Sequence, residues 1–477
     1  MDSISKLEIL ARQRAALSAV AGTAARKRVE MLFDENTFVE LDDYAGVGSG
    51  NAGVITGYGQ IDGLGVYVFS QDVSVQSGAV DRIHARKIRK VYELATMTGL
   101  PIVGIYDSSG AKLDDMPEAM EAYGEMISAA NKISGVVPQV ALVLGTCAGM
   151  AALVACGADL VIMSEGAEFF MNSPRVAKAN GTYVEGAGTA KNTAESGVAH
   201  LVGKDEAEAI ALARQVLPMF PQNNLSGSPE FSFTEPRGYV KKLRDFSENI
   251  EGVDMREIIP HIMDAGSVFE LSKEFGKNAI TALATLGGST VLAVGASKTI
   301  GMDECSKIAY FVNLADAFSI PVITFINTDG FSPYSKDELS GSIRQAAKLS
   351  HVYTNATIPK IALLVGKAYG SAYVALAGKS AGADLVIAWP SAIVSALSPT
   401  TAVAFLAGDQ IDSDHSREDV EEQYKISEAS PFRYAGEGYV DQVIDPAQSR
   451  QTIAMSLDML SGKRINQMAK KHSNIPL

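Results

Sequence analysis

Two glycine-containing stretches of the sequence could surround an oxyanion with backbone N–H groups. They are AGMAA at 148–152 and YGSAY at 369–373, and each follows an apolar run and precedes small residues. If the apolar run is a strand and the small residues begin a helix, the first helical turn presents N–H groups without intrahelical acceptors. Such groups stabilise negative charge on an oxygen without a side-chain acid. The alternative interpretation is that the small residues only let a helix pack closely against a sheet.

Side chains that could act as nucleophiles or metal ligands are few. The sequence contains no H-E-x-x-H zinc motif and no G-x-x-x-x-G-K-[ST] phosphate loop. Cys147 has no neighbouring histidine to activate it, so we interpret it as a packing residue. The three cysteines lack C-x-x-C spacing and the six histidines form no cluster with metal spacing, so we predict no metal site.

One basic run could contact a phosphate group. It surrounds His84 and includes Arg86 and Lys87. Such a run is usually a solvated helix face, and a site for a phosphate-bearing ligand is the second interpretation.

The elements that position these residues occur twice. GADLVI stands at 157–162 and again at 382–387, PIVGIYDSSGA from Pro101 aligns with PVITFINTDGF from Pro321, and PQVALVLGTCAG from Pro138 aligns with PKIALLVGKAYG from Pro359. The offset between the two copies stays between 220 and 225. A nearly constant offset over this length indicates a duplicated domain.

Each copy reads as alternating strands and helices. A proline-led apolar run is followed by a turn and a helical stretch, which in the second copy is ELSGSIRQAAKLSHVY at 338–353. A second apolar strand, the small-residue helix and a third strand follow, which predicts parallel β-α-β units buried on both faces. We expect an α/β protein with an N-terminal domain at 1–225, a C-terminal domain at 236–477 and a linker at 218–236, where Pro, Ser and Asn are frequent.

Composition excludes several classes of protein. The chain of 477 residues has a net charge of −14, which argues against general nucleic-acid binding. Residues 140–158 form an uncharged run of about 19 residues, but glycines interrupt it and its counterpart contains Lys367, so we predict no membrane span. The charged N-terminal stretch is unlike a signal peptide, and we expect a cytoplasmic protein.

Ordered motifs along nearly the whole chain resemble the carboxyltransferase subunits of biotin-dependent acyl-CoA carboxylases and decarboxylases. They include RKRVEMLFDENTFVELD at 26–42, ISGVVPQVALVLGTCAG at 133–149, ADAFSIPVITFINTDGFSP at 315–333 and TIPKIALLVGKAYGSAY at 357–373. The resemblance implies two tandem crotonase-like (ClpP/crotonase) ββα superhelical domains. It also implies transfer of a carboxyl group between carboxybiotin on a carrier protein and the α-carbon of an acyl-CoA.

The same resemblance implies the site residues. Backbone groups of Gly149 and Met150 would stabilise the thioester oxyanion, and those of Ser371 and Ala372 would stabilise the ureido oxygen of biotin. Acyl-CoA would bind the first domain and biotin the second domain of a neighbouring subunit, in a homo-oligomer between dimer and hexamer. The substrate-binding residues would be Ser109, Gly110, Ala111, Lys112, Arg86, Lys87, Gly370 and Val374.

This chain departs from the family pattern at several of these positions. Met150 stands where a second glycine is usual, Ser109 replaces a glycine, Lys112 an arginine, and Asp329 a proline, while Val374 occupies the position that tunes acyl-chain size in relatives. No zinc ribbon, ATP-grasp signature or biotinyl motif is present. The partners would therefore be a biotin carrier protein and either a biotin carboxylase or a membrane decarboxylase subunit.

Three alternatives stay open. A decarboxylase subunit would run the same reaction in reverse. A crotonase-type acyl-CoA hydratase or hydrolase would use an acid among Asp114, Asp115 and Glu118. A non-catalytic partner subunit would explain Met150 and Ser109.

Overall fold

The computed structural model describes residues 5–18, 22–46, 52–112, 116–412, 415–465, 470–471 and 473–476. The chain divides into two compact units, Met1–Ser226 and Gly227–Leu477. The boundary lies within the stretch 218–236 that we predicted as a linker.

The first unit contains one sheet and eight helices among its described residues. The strands are β1 (Val39–Leu41), β2 (Val54–Ile61), β3 (Leu64–Gln71), β4 (Ile102–Ser108), β5 (Gln139–Ala148), β6 (Leu160–Ser164), β7 (Glu168–Phe170) and β8 (Leu201–Gly203). The helices are α1 (Lys6–Ser18), α2 (Ala24–Leu32), α3 (Arg82–Thr98), α4 (Met116–Lys132), α5 (Met150–Cys156), α6 (Pro174–Ala179), α7 (Ala190–Glu195) and α8 (Glu206–Val216).

The second unit repeats this plan and adds helices near its C-terminal end. Its strands are β9 (Phe269–Leu271), β10 (Ala279–Leu286), β11 (Ser289–Ile300), β12 (Val322–Phe331), β13 (Lys360–Tyr369), β14 (Leu385–Ala388), β15 (Ile393–Ser395) and β16 (Gln442–Val443). Its helices are α9 (Tyr239–Glu248), α10 (Met255–Ile262), α11 (Met302–Ala317), α12 (Ser335–Leu339), α13 (Ser342–Asn355), α14 (Gly370–Ala377), α15 (Pro399–Leu406), α16 (Arg417–Ser427), α17 (Pro431–Gly436) and α18 (Ser449–Leu460).

The two sheets have the same strand order. The first runs β1-β2-β3-β4-β5-β6-β8 with β7 beside β5, and the second runs β9-β10-β11-β12-β13-β14-β16 with β15 beside β13. In each sheet an antiparallel hairpin leads into parallel strands. The predicted fold class, a duplicated ββα unit, is confirmed.

Burial explains why the strands are continuous apolar runs. Every residue of β4 and of β10 is buried, as expected for parallel or central strands covered on both faces. Within the described residues no helix is long and apolar enough to cross a bilayer. The uncharged run 140–158 forms β5, a turn and α5 instead.

One predicted helix is divided. The stretch 338–353 begins within α12 and continues in α13, because Gly341 lies between the two helices with a left-handed φ of 81°. A left-handed residue at this position ends one helix and changes the direction of the chain before the next one begins.

Candidate functional site

The first oxyanion turn comprises residues 148–152 and links β5 to α5. Gly149 lies between the strand and the helix with φ 61° and ψ −123°, a conformation that only glycine adopts readily. Met150 is the first residue of α5, so its N–H has no intrahelical acceptor. The turn therefore presents backbone N–H groups at the carboxyl end of a parallel strand.

The predicted role of the Gly149 N–H needs correction. This group donates a hydrogen bond to the carbonyl of Phe170 at 3.0 Å, because β7 pairs with the end of β5. The N–H groups left for an oxyanion are those of Met150 and Ala151, at the start of α5. Gly149 contributes the turn conformation instead.

The second oxyanion turn comprises residues 369–373 and links β13 to α14. Gly370 has a φ of 59°, and a Cβ atom at this position would lie 3.2 Å from the carbonyl oxygen of Ala396. Ser371 and Ala372 follow Gly370 in the first turn of the helix. Ser371 is exposed and Ala372 is fully buried. Their N–H groups lack intrahelical acceptors.

A second turn supports each oxyanion turn, and its geometry is repeated. Gly110 and Gly330 have φ values of 110° and 109°. Their N–H groups donate to the hydroxyls of Ser108 at 3.1 Å and Thr328 at 3.2 Å. Their Cβ positions would lie 3.6 Å from the Ala148 carbonyl and 3.7 Å from the Tyr369 carbonyl. The DSSGA and NTDGF sequences thus fold into equivalent loops beside the two oxyanion turns.

A buried acceptor holds the strand that precedes each oxyanion turn. Asp107 Oδ1 accepts the N–H of Thr146 at 3.3 Å, and Asn327 Oδ1 accepts the N–H of Lys367 at 3.0 Å. Gly145 and Gly366 pass these side chains so closely that a Cβ atom would overlap the Oδ1 atom in either unit. Gly145 and Gly366, each three residues before the start of its oxyanion turn, must therefore be glycine.

The charge of this acceptor differs between the units. Asp107 is a buried carboxylate that pairs with Arg28 at 2.8 Å, and Arg28 also pairs with Glu206 at 2.6 Å. The amide of Asn327 is neutral and donates to the carbonyls of Ile250 and Val253, each at 3.4 Å. Sequence motifs did not reveal these partners, because Arg28 and Asp107 are far apart in the chain.

The predicted basic ligand-binding run is only partly exposed. Arg86 is exposed, but Lys87 is buried and its Nζ donates to the carbonyl of Val54 at 2.8 Å. Burial lowers the pKa of Lys87. Lys307 occupies the equivalent position in the second unit, and its Nζ donates to the carbonyls of Phe275 and Ala279. The prediction that Lys87 contacts substrate is therefore wrong in this structure, since the repeated lysine holds the backbone of the hairpin region.

His84 has a similar explanation. It is fully buried, and its ring lies 3.3 Å from the side-chain amide of Gln71. Burial lowers the pKa of His84 to about 4, so the ring is neutral at pH 7. The apolar spacing of positions 84, 88 and 91 on α3, all buried, was a signal that this face of the helix lies inside.

The remaining predicted substrate-binding residues lie around the two turns. Ser109 is exposed, Gly110 is buried, and Ala111 and Lys112 are half-buried. The backbone N–H groups of Ser109 and Lys112 donate to Ser77 and Val80, so this segment is fixed in place. The segment lies beside the first oxyanion turn, and its role in substrate binding stays a prediction.

Two unusual side chains of the site have different surroundings. Met150 is half-buried and packs against the core of the first unit. Val374 lies on α14 with 51% of its surface exposed. Met150 therefore fills space beside the sheet, whereas Val374 presents an apolar surface close to the second oxyanion turn.

An ion pair beside the second oxyanion turn was not predicted. Lys367 Nζ lies 2.9 Å from Asp329 Oδ1, and both side chains are partly exposed. The equivalent positions in the first unit, Thr146 and Ser109, are uncharged. No local sequence pattern joins Asp329 to Lys367, because the two residues are 38 positions apart in the chain.

Side-chain catalysts are poorly placed among the described residues. Cys147 is buried, and burial raises the pKa of its thiol. Glu118 lies 3.3 Å from Arg82 in an exposed ion pair, while Asp114 and Asp115 lie outside the described residues. No group of three His, Cys, Asp or Glu side chains in the described part of the chain is placed to hold a metal ion.

A further serine matches a nucleophile pattern by sequence. Residues 378–382 read GKSAG, which has the G-x-S-x-G spacing. Ser380 is exposed within the short 3₁₀ helix Lys379–Ala381, which follows the helix α14. A nucleophilic serine of this motif stands between a strand and a helix, so the match does not indicate a nucleophile.

Comparison with known proteins identifies the family of the chain. The family model described as "Carboxyl transferase domain" matches residues 21–475. The chain is 35% identical to the methylmalonyl-CoA decarboxylase subunit alpha of Propionigenium modestum, over 95% of this chain and 93% of that protein. It is also 35% identical to the propionyl-CoA carboxylase beta chain of Saccharopolyspora erythraea, over 95% and 90% of the two chains.

A solved structure extends the comparison to the fold. The transcarboxylase 12S subunit, solved as a hexamer with methylmalonyl-coenzyme A and methylmalonic acid bound, superposes with a TM-score of 0.92. The two chains are 33% identical, and the match covers 100% of each. With a family model along nearly the whole sequence and full-length relatives above 30% identity, the chain belongs to the carboxyl transferase family and is an acyl-CoA carboxyltransferase.

Proposed function

We propose that the protein transfers a carboxyl group between carboxybiotin and the α-carbon of an acyl-CoA at its two oxyanion turns. The observation that carries this proposal is the repetition of the turn: each unit ends a parallel strand in a left-handed glycine and begins a helix at once. A reaction with two carbonyl-type oxygens, one on the thioester and one on the biotin ring, needs two such sites.

In this proposal the first oxyanion turn binds the thioester oxygen. The N–H groups of Met150 and Ala151 stabilise the negative charge that develops on this oxygen when the α-carbon loses or gains its carboxyl group. The loop at Gly110 and Ala111 lies beside this turn and limits the direction from which the thioester enters. Exposed Arg86 and half-buried Lys112 supply positive charge for the phosphates of CoA.

The second oxyanion turn binds the ureido oxygen of biotin. Biotin supplies the nitrogen that carries the carboxyl group. The N–H groups of Ser371 and Ala372 hold the ring oxygen, and Gly370 leaves room that a Cβ atom would fill next to the Ala396 carbonyl. These contacts orient the ring, so the protein contributes position and electrostatic stabilisation.

The substrate is an acyl-CoA whose α-carbon can carry a second carboxyl group. Relatives are named for propionyl-CoA and methylmalonyl-CoA, which supports a short acyl chain. Val374, exposed and apolar on α14, replaces the residue that tunes acyl-chain size in relatives. We propose that Val374 of a neighbouring subunit faces the acyl group bound at the first oxyanion turn and extends the accepted range toward more apolar acyl groups.

We also propose that the chain works as a homo-oligomer with a separate biotin carrier protein. The 12S structure is a hexamer, which supports assembly of this chain into a similar particle. A biotin carboxylase would supply carboxybiotin in the forward direction, and a membrane decarboxylase subunit would be the partner in the reverse direction. The similarity to a decarboxylase alpha subunit keeps the reverse reaction as the second candidate.

The test combines the purified chain, free biotin and malonyl-, methylmalonyl- or glutaconyl-CoA. Loss of the carboxyl group should depend on biotin and should saturate with the preferred CoA ester. Turnover without biotin would favour a hydratase or hydrolase instead. Absence of turnover with all three esters, while the esters still bind, would contradict catalysis by this chain in either direction.

A further inference from the structure

A short strand lies beside the second oxyanion turn, and the residue that follows this strand borders the turn glycine. Strand β15 pairs with the end of β13, so that Ser395 lies opposite Tyr369. A Cβ atom on Gly370 would lie 3.2 Å from the carbonyl oxygen of Ala396. The second oxyanion turn therefore has a backbone carbonyl immediately beside it.

The side chain of Ser395 connects this part of the chain to a helix. Ser395 is buried, and its hydroxyl forms a hydrogen bond with the hydroxyl of Tyr424 on α16, at a distance of 3.0 Å. The same serine oxygen accepts the N–H of Leu397 at 3.4 Å. The segment 395–397, which includes the Ala396 carbonyl, is therefore linked to α16 through one serine hydroxyl.

Tyr424 belongs to a pair of helices, α15 and α16, with a small hydrophobic cluster of its own. The cluster consists of Val403, Ala407 and Val420, with Ile411 and Tyr424 packed against it. It is separate from the main hydrophobic core of the second unit. The helix pair therefore holds the ring of Tyr424, and the phenol hydroxyl joins the pair to Ser395.

The first unit builds the same position differently. Phe170 occupies the position of Ser395 in the strand pairing, and its side chain carries no hydroxyl. The carbonyl equivalent to that of Ala396 belongs to Met171, and its oxygen would lie 4.0 Å from a Cβ atom on Gly149. The close carbonyl and the hydroxyl link are therefore features of the second turn.

We propose that Tyr424 is a positioning residue for the biotin side of the reaction. This inference rests on the proposed function, in which the N–H groups of Ser371 and Ala372 hold the ureido oxygen. A backbone carbonyl that reached these free N–H groups would compete with biotin for them. The hydrogen bond between Tyr424 and Ser395 holds the Ala396 carbonyl away from both groups and keeps them open for the biotin ring.

The test compares Tyr424→Phe with the wild-type chain in carboxyl transfer from methylmalonyl-CoA to free biotin. Loss of the hydroxyl should lower kcat/KM for biotin roughly three- to tenfold, as expected for one lost hydrogen bond. The KM for methylmalonyl-CoA should stay unchanged. Ser395→Ala should have the same effect, and the double variant should be no worse than either single variant, because both changes remove one interaction. A merely structural role would not separate the two substrates.

Thr400→Val is the matched control. Thr400 Oγ1 donates to Glu421 Oε2 at 2.9 Å, so it also joins α15 to α16, but this hydrogen bond does not involve Ser395. Its loss should leave kcat/KM for biotin unchanged. Equilibrium dialysis of labelled biotin, without a CoA ester, should show weaker binding to Tyr424→Phe and unchanged binding to Thr400→Val.

The dialysis separates failure of this inference from failure of the proposed function. A wild-type chain that binds biotin and transfers no carboxyl group would contradict the proposed function, and the biotin affinity of Tyr424→Phe would still decide the role of the hydroxyl. Equal biotin affinity in a folded Tyr424→Phe variant would overturn the positioning role. An equal loss in Thr400→Val, an equal change in the KM for methylmalonyl-CoA, or absence of biotin binding to the wild-type chain would overturn it as well.

Discussion

The two units build the same oxyanion turn on different buried supports. Behind the first turn, Asp107 is held by Arg28, whereas behind the second turn Asn327 is held by two backbone carbonyls. In both units the side-chain oxygen accepts the N–H of the strand residue that follows a glycine. Both units therefore need an acceptor oxygen and a glycine that leaves room for it. The charge of the acceptor side chain can differ.

This difference predicts how each unit tolerates change. A neutral amide needs only hydrogen bonds when it is buried, whereas a buried carboxylate also needs a cation. The support behind the first turn should therefore respond more strongly to loss of a single charge than the support behind the second turn, and the buried histidines of the first unit add a dependence on pH.

The largest expected difference is in acid stability. Burial lowers the pKa of His84 and of His200 to about 4, and His200 Nδ1 accepts the N–H of Val161, which fixes a neutral ring. The unfolded chain binds protons near pH 6.5 and the folded chain does not, so stability falls as the pH falls from 6.5 to 4. The loss should reach about 3 kcal/mol for each histidine, and it is partly offset by Asp159 of the same unit, because burial raises the pKa of this carboxyl to about 7.

Hydrogen exchange from pH 7 to pH 4 measures this effect separately in peptides of each unit. First-unit peptides should lose protection, while fluorescence of the single Trp389, buried in the second unit, should change less. His200→Asn keeps a hydrogen-bond acceptor and removes the titration, so it should reduce the pH dependence. Equal loss of protection in both units would contradict the comparison.

The second prediction removes the cation from the first support. Arg28→Met leaves the carboxylate of Asp107 buried without its partner and should lower the free energy of unfolding by about 3–5 kcal/mol. Urea unfolding followed by circular dichroism measures this loss. The double variant Arg28→Met, Asp107→Asn recreates the neutral support of the second unit and should recover most of it. A double variant as unstable as the single one would contradict the explanation that the unpaired buried carboxylate causes the loss.

The third prediction fills the space beside the two acceptors. Gly145→Ala and Gly366→Ala each place a Cβ atom onto an Oδ1 atom, so both should destabilise their unit by about 1–3 kcal/mol despite the difference in charge. Gly124→Ala is the control, because α4 has open space at this position and alanine favours a helix there. Thermal unfolding that ranks Gly124→Ala with the other two would contradict the steric explanation.

The smallest expected effect concerns the ion pair beside the second oxyanion turn, which has no equivalent beside the first turn. Asp329 and Lys367 are partly exposed, so a double-mutant cycle with Asp329→Asn and Lys367→Met should give a coupling energy of about 0.2–1 kcal/mol. Raising the salt concentration should reduce this coupling. A larger, salt-independent value would mean that the pair is desolvated in the working protein.

Much of this architecture was readable from the sequence. The proline-led apolar runs became β4, β5, β12 and β13, and the small-residue runs became α5 and α14. The repeated offset predicted two equivalent units, because a duplicated sequence conserves its strand order even where side chains change. The glycine turns were also predictable, because a strand end with a left-handed φ requires glycine and the repeated glycines are visible in the sequence.

Details that depend on distant partners were not readable. The sequence placed Lys87 in a basic run on a helix surface, but its side chain is buried and donates a hydrogen bond to the Val54 carbonyl. The N–H of Gly149 was assigned to an oxyanion, but it donates a hydrogen bond to the carbonyl of Phe170 in the short strand β7. Both errors concern hydrogen bonds between segments far apart in sequence, which local patterns do not encode.

The most direct test of the two-turn account is the rate of carboxyl transfer from methylmalonyl-CoA to free biotin in three variants. Gly149→Ala and Gly370→Ala force a side chain onto a left-handed residue and displace the N–H groups that follow, so kcat should fall by about 10²–10³-fold in each. Ser371→Ala keeps the backbone N–H and should transfer at close to the wild-type rate. Full activity in either folded glycine variant, or an equal loss in Ser371→Ala, would contradict catalysis by two backbone oxyanion turns.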